Sequence, residues 1–274
     1  ENRLVGVVSL RELVIAPPHV RIEEIMDPDV IHVRADADQE EAARLMSRYD
    51  LLALPVVDDE GHLLGLITHD DILEVLEEEA TEDIHRLGAS EPLEEPYLDA
   101  PIVRIARKRI GWLLLLFVTE AFTGSVLRFF QGELAEEVAL AFFVPLLIGT
   151  GGNAGSQVSS MVIRAIALGE VRFRDLVLVV WREIRTAFLL GLAMGVIGFI
   201  RALTWGSPMP LGMTVGISLM AIVLWSAVIG AALPLIAARL KIDPAVVSGP
   251  AMSTLVDATG LVIYFLIARW IMRL

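Results

Sequence analysis

The sequence contains no cysteine, which excludes disulfides and thiolate metal sites. Histidine is confined to His19, His32, His62, His69 and His85, so residues 100–274 offer neither soft nor imidazole ligands. Charge of each sign is unevenly spread. Residues 1–99 hold 26 Asp and Glu against 7 Lys and Arg, whereas residues 100–274 hold 9 against 15. The overall charge of −13 therefore hides a strongly acidic first part and an apolar second part with basic punctuation. An acidic domain of this kind does not seek nucleic acid or an anionic bilayer surface, but it can collect cations. There is no Walker motif and no phosphorylated-aspartate signature, which argues against an ATP-driven pump.

What is present in the second part is a series of long apolar runs. A membrane span needs about 20 such residues, and the pattern predicts spans near 110–130, 138–167, 176–203, 211–238 and 246–272. Arg104, Arg107, Lys108 and Arg109 precede the first span and read as a positive-inside signal, which keeps the acidic domain cytoplasmic. The loop QGELAEE carries only acids and TWGSPMP carries no charge, so both suit the outside. Five spans then put the C-terminus outside, although Arg269 and Arg273 fit that side less well.

The acidic part contains a repeat. LVGVVSLREL, Leu4 to Leu13, aligns without gaps on LLGLITHDDI, Leu63 to Ile72, at a 59-residue offset. Each copy reads as a strand followed by a helix-capping hydroxyl, Ser9 or Thr68. Before the second copy come a helix, Gln39 to Tyr49, a strand, Leu54 to Val57, and the turn Asp58-Asp59-Glu60-Gly61. This order resembles the CBS domain, a small α/β module that normally occurs in pairs. The second module, Ile22 to Leu76, is complete, and residues 1–21 read as the remnant of a first. The expected natural protein continues upstream, so the chain reads as a fragment or deletion form. Residues 77–103 form an acidic connecting helix and linker, and residues 104–274 the membrane domain. The expected fold is thus a multi-domain membrane protein: an α/β CBS module followed by an all-α, five-helix transmembrane domain.

Two spans carry unusual polarity. GTGGNAGSQ, Gly149 to Gln157, sets glycine, asparagine, serine and glutamine at helical spacing. One reading is a close helix–helix contact through small residues. The other is a polar path, favoured by Pro145, which frees a backbone carbonyl. In SGPAMSTLVDATGLVIYF, Asp257 shares a helical face with Ser253, Thr254, Gly260 and Tyr264. A charge at mid-membrane is costly and points to function, the alternative being a structural pair or a protonated acid bonded to a neighbouring helix. Gly249-Pro250 is expected to break this helix and expose carbonyl oxygens. Carboxylate, carbonyl and water oxygens suit hard cations such as Mg²⁺. Glu120 is a second intramembrane acid that lines a path or, as the favoured reading, bonds locally with Thr119 or Thr123. Asp243 reads as a helix cap before Pro244 or as a bridging ligand at the inner mouth. The acidic run from Glu74 to Asp83 is a solvated face, or a cation sensor whose self-repulsion Mg²⁺ would relieve.

PLLIGTGGNAGSQ, SGPAMSTLVDATGLVIYF, five spans and a preceding CBS module closely resemble the MgtE family of bacterial magnesium channels. The resemblance covers essentially the whole chain. It implies a homodimer in the bacterial plasma (inner) membrane, with one pore at the dimer interface lined by the second and fifth spans. The pore carboxylate would be Asp257. Cytoplasmic Mg²⁺ sites would fall among Asp38, Glu40, Asp50, Asp71, Glu74, Glu79, Glu82, Asp83 and Asp243. Mg²⁺ would be both transported and regulatory, closing the pore when it is plentiful. The family also implies ATP at the CBS module, where Thr68 and Asp71 fit a ribose- or phosphate-contacting pattern, although half of that cleft is absent.

Passive, Mg²⁺-selective conduction is the expected activity, with no catalysis. Co²⁺ or Mn²⁺ is the alternative permeant ion. An intramembrane hydrolase is a remote rival: it needs a second deep aspartate, or a base for Ser156, and neither is present.

Overall fold

The computed structural model describes residues 2–93, 95–247 and 249–274. Ser248, the first residue of the second membrane motif, lies outside them. The chain divides into two units, Glu1–Thr81 and Glu82–Leu274.

In the first unit, α1 (Leu10–Ile15) and α2 (Ile22–Ile25) precede β1 (Val33–Arg34), α3 (Gln39–Tyr49), β2 (Ala53–Val57), β3 (Leu63–Thr68) and the start of α4 (His69–Leu87). Helix α3 starts because Asp38 caps it, its carboxylate accepting from the Glu40 N–H at 2.9 Å. It stops at Asp50, which takes the left-handed conformation with φ of 52°. Ala42, Ala43 and Met46 form its buried stripe, packed on Val33, Leu54 and Ile72. Strand β2 is central, parallel to β1 and antiparallel to β3. Gly61, with φ of 82°, closes the turn between β2 and β3, and the Asp58 carboxylate accepts from the N–H groups of Glu60 and His62.

The 59-residue repeat persists down to single hydrogen bonds. Glu12 accepts from the Ser9 N–H at 2.8 Å and the Ser9 hydroxyl at 2.6 Å. Asp71 accepts from the Thr68 N–H and hydroxyl at the same two distances. One expectation is corrected here. The strand expected from Leu4 is reduced to isolated bridges, Arg3 with His62 and Val7 with Asp27. The segment touches two different partners one point at a time, so no continuous ladder forms.

The second unit holds five helices long and apolar enough to cross a membrane. They are α5 (Ile102–Phe129), α7 (Ala139–Ala167), α8 (Leu176–Thr204), α9 (Met209–Arg239) and α10 (Gly249–Met272), with the short α6 (Gln131–Glu136) after α5. Helix α5 starts well before the expected 110, because nothing breaks it until the Pro101 cap, so its basic cluster is helical. Helix α9 is the hub, packed on α7, α8 and α10. Its contact with α8 is backbone on backbone: a Cβ added to Gly195 would lie 2.7 Å from the Gly216 carbonyl oxygen. By contrast, α5 packs chiefly on α10.

Candidate ion path and its inner mouth

The α7 motif divides between its two readings. Gly151, Gly152, Gly155 and Ser159 are buried. A Cβ on Gly152 would sit 2.9 Å from Ser253 Oγ of α10, and one on Gly151 would sit 2.6 Å from Ile222 of α9. That face is the close helix contact. The opposite face, Gly149, Asn153, Gln157 and Ser160, is exposed on this chain. Its spacing of about one turn makes it a continuous polar stripe on a membrane-spanning helix.

Helices α7 and α10 run antiparallel in a fixed register. Ser156 Oγ donates to the Gly249 carbonyl at 3.3 Å, Ser159 Oγ to the Val247 carbonyl at 3.2 Å, and the Tyr264 hydroxyl to the Leu140 carbonyl at 3.1 Å. Between these contacts stands Asp257, half-buried on α10. Its expected polar face is partly spent on packing. Gly260 is buried opposite Ile222, Tyr264 is committed to Leu140, and Thr254 donates to the Pro250 carbonyl. The break expected at Gly249-Pro250 is corrected: the pair lies in the first turn of α10. A proline there needs no N–H partner, so the first turn tolerates it.

Glu120 does not bond with its neighbours. Thr119 donates to the Leu115 and Leu116 carbonyls, and Thr123 Oγ1 is buried without a partner among the described residues. Glu120 is instead exposed on α5.

At the start of the α9–α10 connection, Asp243 caps a short turn, one carboxylate oxygen accepting from the Ala245 N–H at 2.8 Å. Its other oxygen pairs with Arg86 in the last turn of α4, and Arg86 also pairs with Glu82. Sequence reading did not find this triad. The Glu82–Arg86 spacing of four was the visible signal, but nothing local points to Asp243. Nor did it find Glu133, buried after α5 and paired with Arg269 of α10.

The remaining acids are spread out. Asp38, Glu40 and Asp50 lie at the two ends of α3, and Asp71, Glu74, Glu79, Glu82 and Asp83 lie along α4. The structure brings the start of α3 to α4 where Gln39 donates to Glu79 at 2.5 Å. Among the described residues, no three acidic or histidine side chains converge as a metal site. Asp71 is preorganised: the Thr68 hydroxyl, then the Thr68 N–H, hold its carboxyl below the usual aspartate range.

Five membrane-length helices behind a CBS-type α/β unit define a multi-pass membrane protein. A sequence model of MgtE, described as divalent cation transporter, matches residues 144–267, and one of the CBS domain matches residues 22–78. The magnesium transporter MgtE of Thermus thermophilus is 46% identical over 100% of this chain, and that of Bacillus subtilis 38% identical over 97%. The chain spans 60% and 59% of the length of these two relatives. A solved structure of the cytosolic domain of the Mg²⁺ channel MgtE in complex with ATP is 58% identical over 27% of this chain and 30% of that one, with a TM-score of 0.27. The chain is thus similar over its whole length to proteins of the MgtE family, whose model matches residues 144–267.

Proposed function

We propose that this chain conducts Mg²⁺ passively across a bacterial plasma membrane, along a path lined by α7 and α10 of two copies. The observation that carries the reading is the exposed stripe Gly149, Asn153, Gln157 and Ser160 on α7, together with the half-buried Asp257 on the neighbouring α10. In one copy alone the stripe would meet lipid, which satisfies none of its polar groups. A second copy placed face to face would enclose it as a water-filled path. Asp257 would attract the ion, and the side-chain amides would hold its waters, since Mg²⁺ sheds them reluctantly. An inside-negative potential of about 100 mV favours entry of a divalent ion by about 4.6 kcal/mol. The relatives' naming as magnesium transporters supports the ion. Co²⁺ and Mn²⁺ are the runners-up: the lack of imidazole and thiolate donors lowers selectivity for transition metals, although oxygen ligands suit Mn²⁺ as they suit Mg²⁺.

In this reading the acidic unit is cytoplasmic, the C-terminus is outside, and internal Mg²⁺ closes the path. The candidate regulatory ligands are Asp38, Glu40, Asp50, Asp71, Glu74, Glu79, Glu82, Asp83 and Asp243. Because no three of them converge among the described residues, each regulatory ion would be held by one or two carboxylates and waters, or shared with the second copy. A nucleotide such as ATP at Thr68 and Asp71 would use the Asp71 oxygen that Thr68 leaves free.

The test is Mg²⁺ flux into proteoliposomes for the parent and Asp257→Ala, with internal Mg²⁺ varied. The expected parent flux falls as internal Mg²⁺ rises, and the variant carries none. Flux unchanged by Asp257→Ala rejects the pore reading and moves attention to Glu120.

A further inference from the structure

The chain between α4 and α5 turns its apolar side chains outward. Tyr97, Leu98, Ile102 and Val103 are 70%, 92%, 84% and 80% exposed. A single exposed leucine needs no explanation, but four large apolar side chains within seven positions do. The turn is held in place. Asp99 and Ala100 N–H groups both donate to the Pro96 carbonyl, at 2.9 and 3.2 Å. The Glu91 N–H donates to the Lys108 carbonyl at 3.2 Å, the Lys108 ammonium reaches the Pro92 carbonyl, and Arg104 pairs with Glu95. The segment is thus strapped to the first turns of α5 with its apolar side chains facing away.

Its depth follows from the length of α5. The 28 residues of that helix measure about 42 Å at about 1.5 Å per residue. A bilayer with both headgroup layers measures about 40–45 Å, so Ile102 falls at headgroup level. About 8–10 Å further along α5, toward the membrane centre, Arg107 and Arg109 are exposed and have no ion-pair partner among the described residues, and side chains of this length reach back to the phosphates. Arg107 and Arg109 give this end of α5 a positive charge complementary to an anionic lipid surface, Asp99 is the one acid within residues 97–103, and the turn is continuous with a helix already read as a span.

We infer that residues 97–103 are an interfacial anchor: Tyr97, Leu98, Ile102 and Val103 insert among the headgroups of an anionic leaflet, and Arg107 and Arg109 hold its lipid phosphates. The inference rests on α5 spanning the membrane and not on which ion the protein carries. Its consequence is mechanical. The anchor fixes the height at which the chain from α4 enters α5, through the strap at Pro92, Glu95 and Lys108.

Because the chain has no cysteine, Leu98→Cys gives a single labelling site in the full chain, at a side chain whose exposure makes the change harmless to packing. An environment-sensitive fluorophore there is read in proteoliposomes of phosphatidylcholine alone and of phosphatidylcholine with phosphatidylglycerol. The expected result is a blue-shifted emission, quenching by brominated lipid and loss of iodide quenching, all stronger with phosphatidylglycerol. The same label at Glu60→Cys, in the β2–β3 turn, should be quenched by iodide and not by lipid. Adding Arg107→Gln and Arg109→Gln should remove the phosphatidylglycerol dependence and leave the lipid contact. Iodide quenching at Leu98 equal to that at Glu60 in both vesicles overturns the anchor. Shielding from iodide and brominated lipid alike also overturns it, because protein then covers the turn. A phosphatidylglycerol dependence that survives the double variant overturns the arginine assignment.

Discussion

Arg86 and Asp243 form an ion pair across 157 residues of sequence, joining the last turn of α4 to the connection between α9 and α10. Both side chains are about one-third exposed, and Glu82 shares the same guanidinium. A pair this wet contributes only about 0–1 kcal/mol to stability, so its interest lies in what it occupies. It neutralises the carboxylate that a regulatory Mg²⁺ at Asp243 would need.

Arginine and Mg²⁺ should therefore compete for Asp243. Arg86→Gln removes the competitor, and the expected outcome is protection of the α4–α5 connection from limited proteolysis at several-fold lower Mg²⁺ than in the parent. Asp243→Asn keeps an oxygen to cap the Ala245 N–H and should abolish the difference. An unchanged Mg²⁺ midpoint in Arg86→Gln rejects the competition.

The two faces of the α7 motif should separate in mutagenesis. Asn153→Leu and Gln157→Leu alter the exposed stripe, so they should reduce Mg²⁺ flux without lowering the thermal midpoint of the detergent-solubilised protein. Gly152→Leu drives a side chain into Ser253 and should lower that midpoint, since overpacking costs about 1–3 kcal/mol. Equal loss of stability in all three variants would mean that the stripe is packed rather than path-lining.

Acid should loosen the start of α4. The folded carboxyl of Asp71 titrates below its unfolded value, so its contribution is fully present above the ordinary aspartate range and is lost as pH falls through the lowered value. The ionised group accepts from Thr68 and also favours the helix N-terminus. Hydrogen-exchange protection of the first-turn amides of α4 should drop over that acidic window in the parent. Asp71→Asn should show lower protection at neutral pH and no such window. Matching profiles in the two proteins would show that the carboxylate does not hold the turn.

Sequence reading reached whatever is periodic or locally spaced. The spans follow from apolar length, and the capping hydroxyls Ser9 and Thr68 from a repeat of 59 residues, whose pairing with Glu12 and Asp71 the structure adds. It did not reach contacts fixed by tertiary register. Nothing near Asp243 announces Arg86, and nothing near Glu133 announces Arg269. Gly249-Pro250 shows a different limit. A proline inside a helix and one in its first turn have the same local signature, and only the structure around Val247 and Ser159 tells them apart. In the α7 motif, the mixture of small and polar residues supported both readings because buried small residues and exposed polar ones lie on opposite faces.

The tightest approach of two membrane helices gives the last prediction. At Gly195 and Gly216 each added Cβ would fall within 2.7–2.8 Å of the other residue's carbonyl oxygen. Backbone atoms cannot rotate aside as a flexible side chain can, so any side chain must push α8 and α9 apart and strip the van der Waals contacts between them. Gly195→Val should lower the thermal midpoint in detergent, at a cost of about 1–3 kcal/mol or more. Gly124 in α5 is the control, because a Cβ there meets nothing within 4 Å. Gly124→Val should leave the midpoint nearly unchanged in the same detergent, apart from the small helix-propensity difference between the two residues. If the two substitutions destabilise equally, the cost arises from the glycines' helical conformation itself, and the close α8–α9 crossing is not what holds that part of the bundle together.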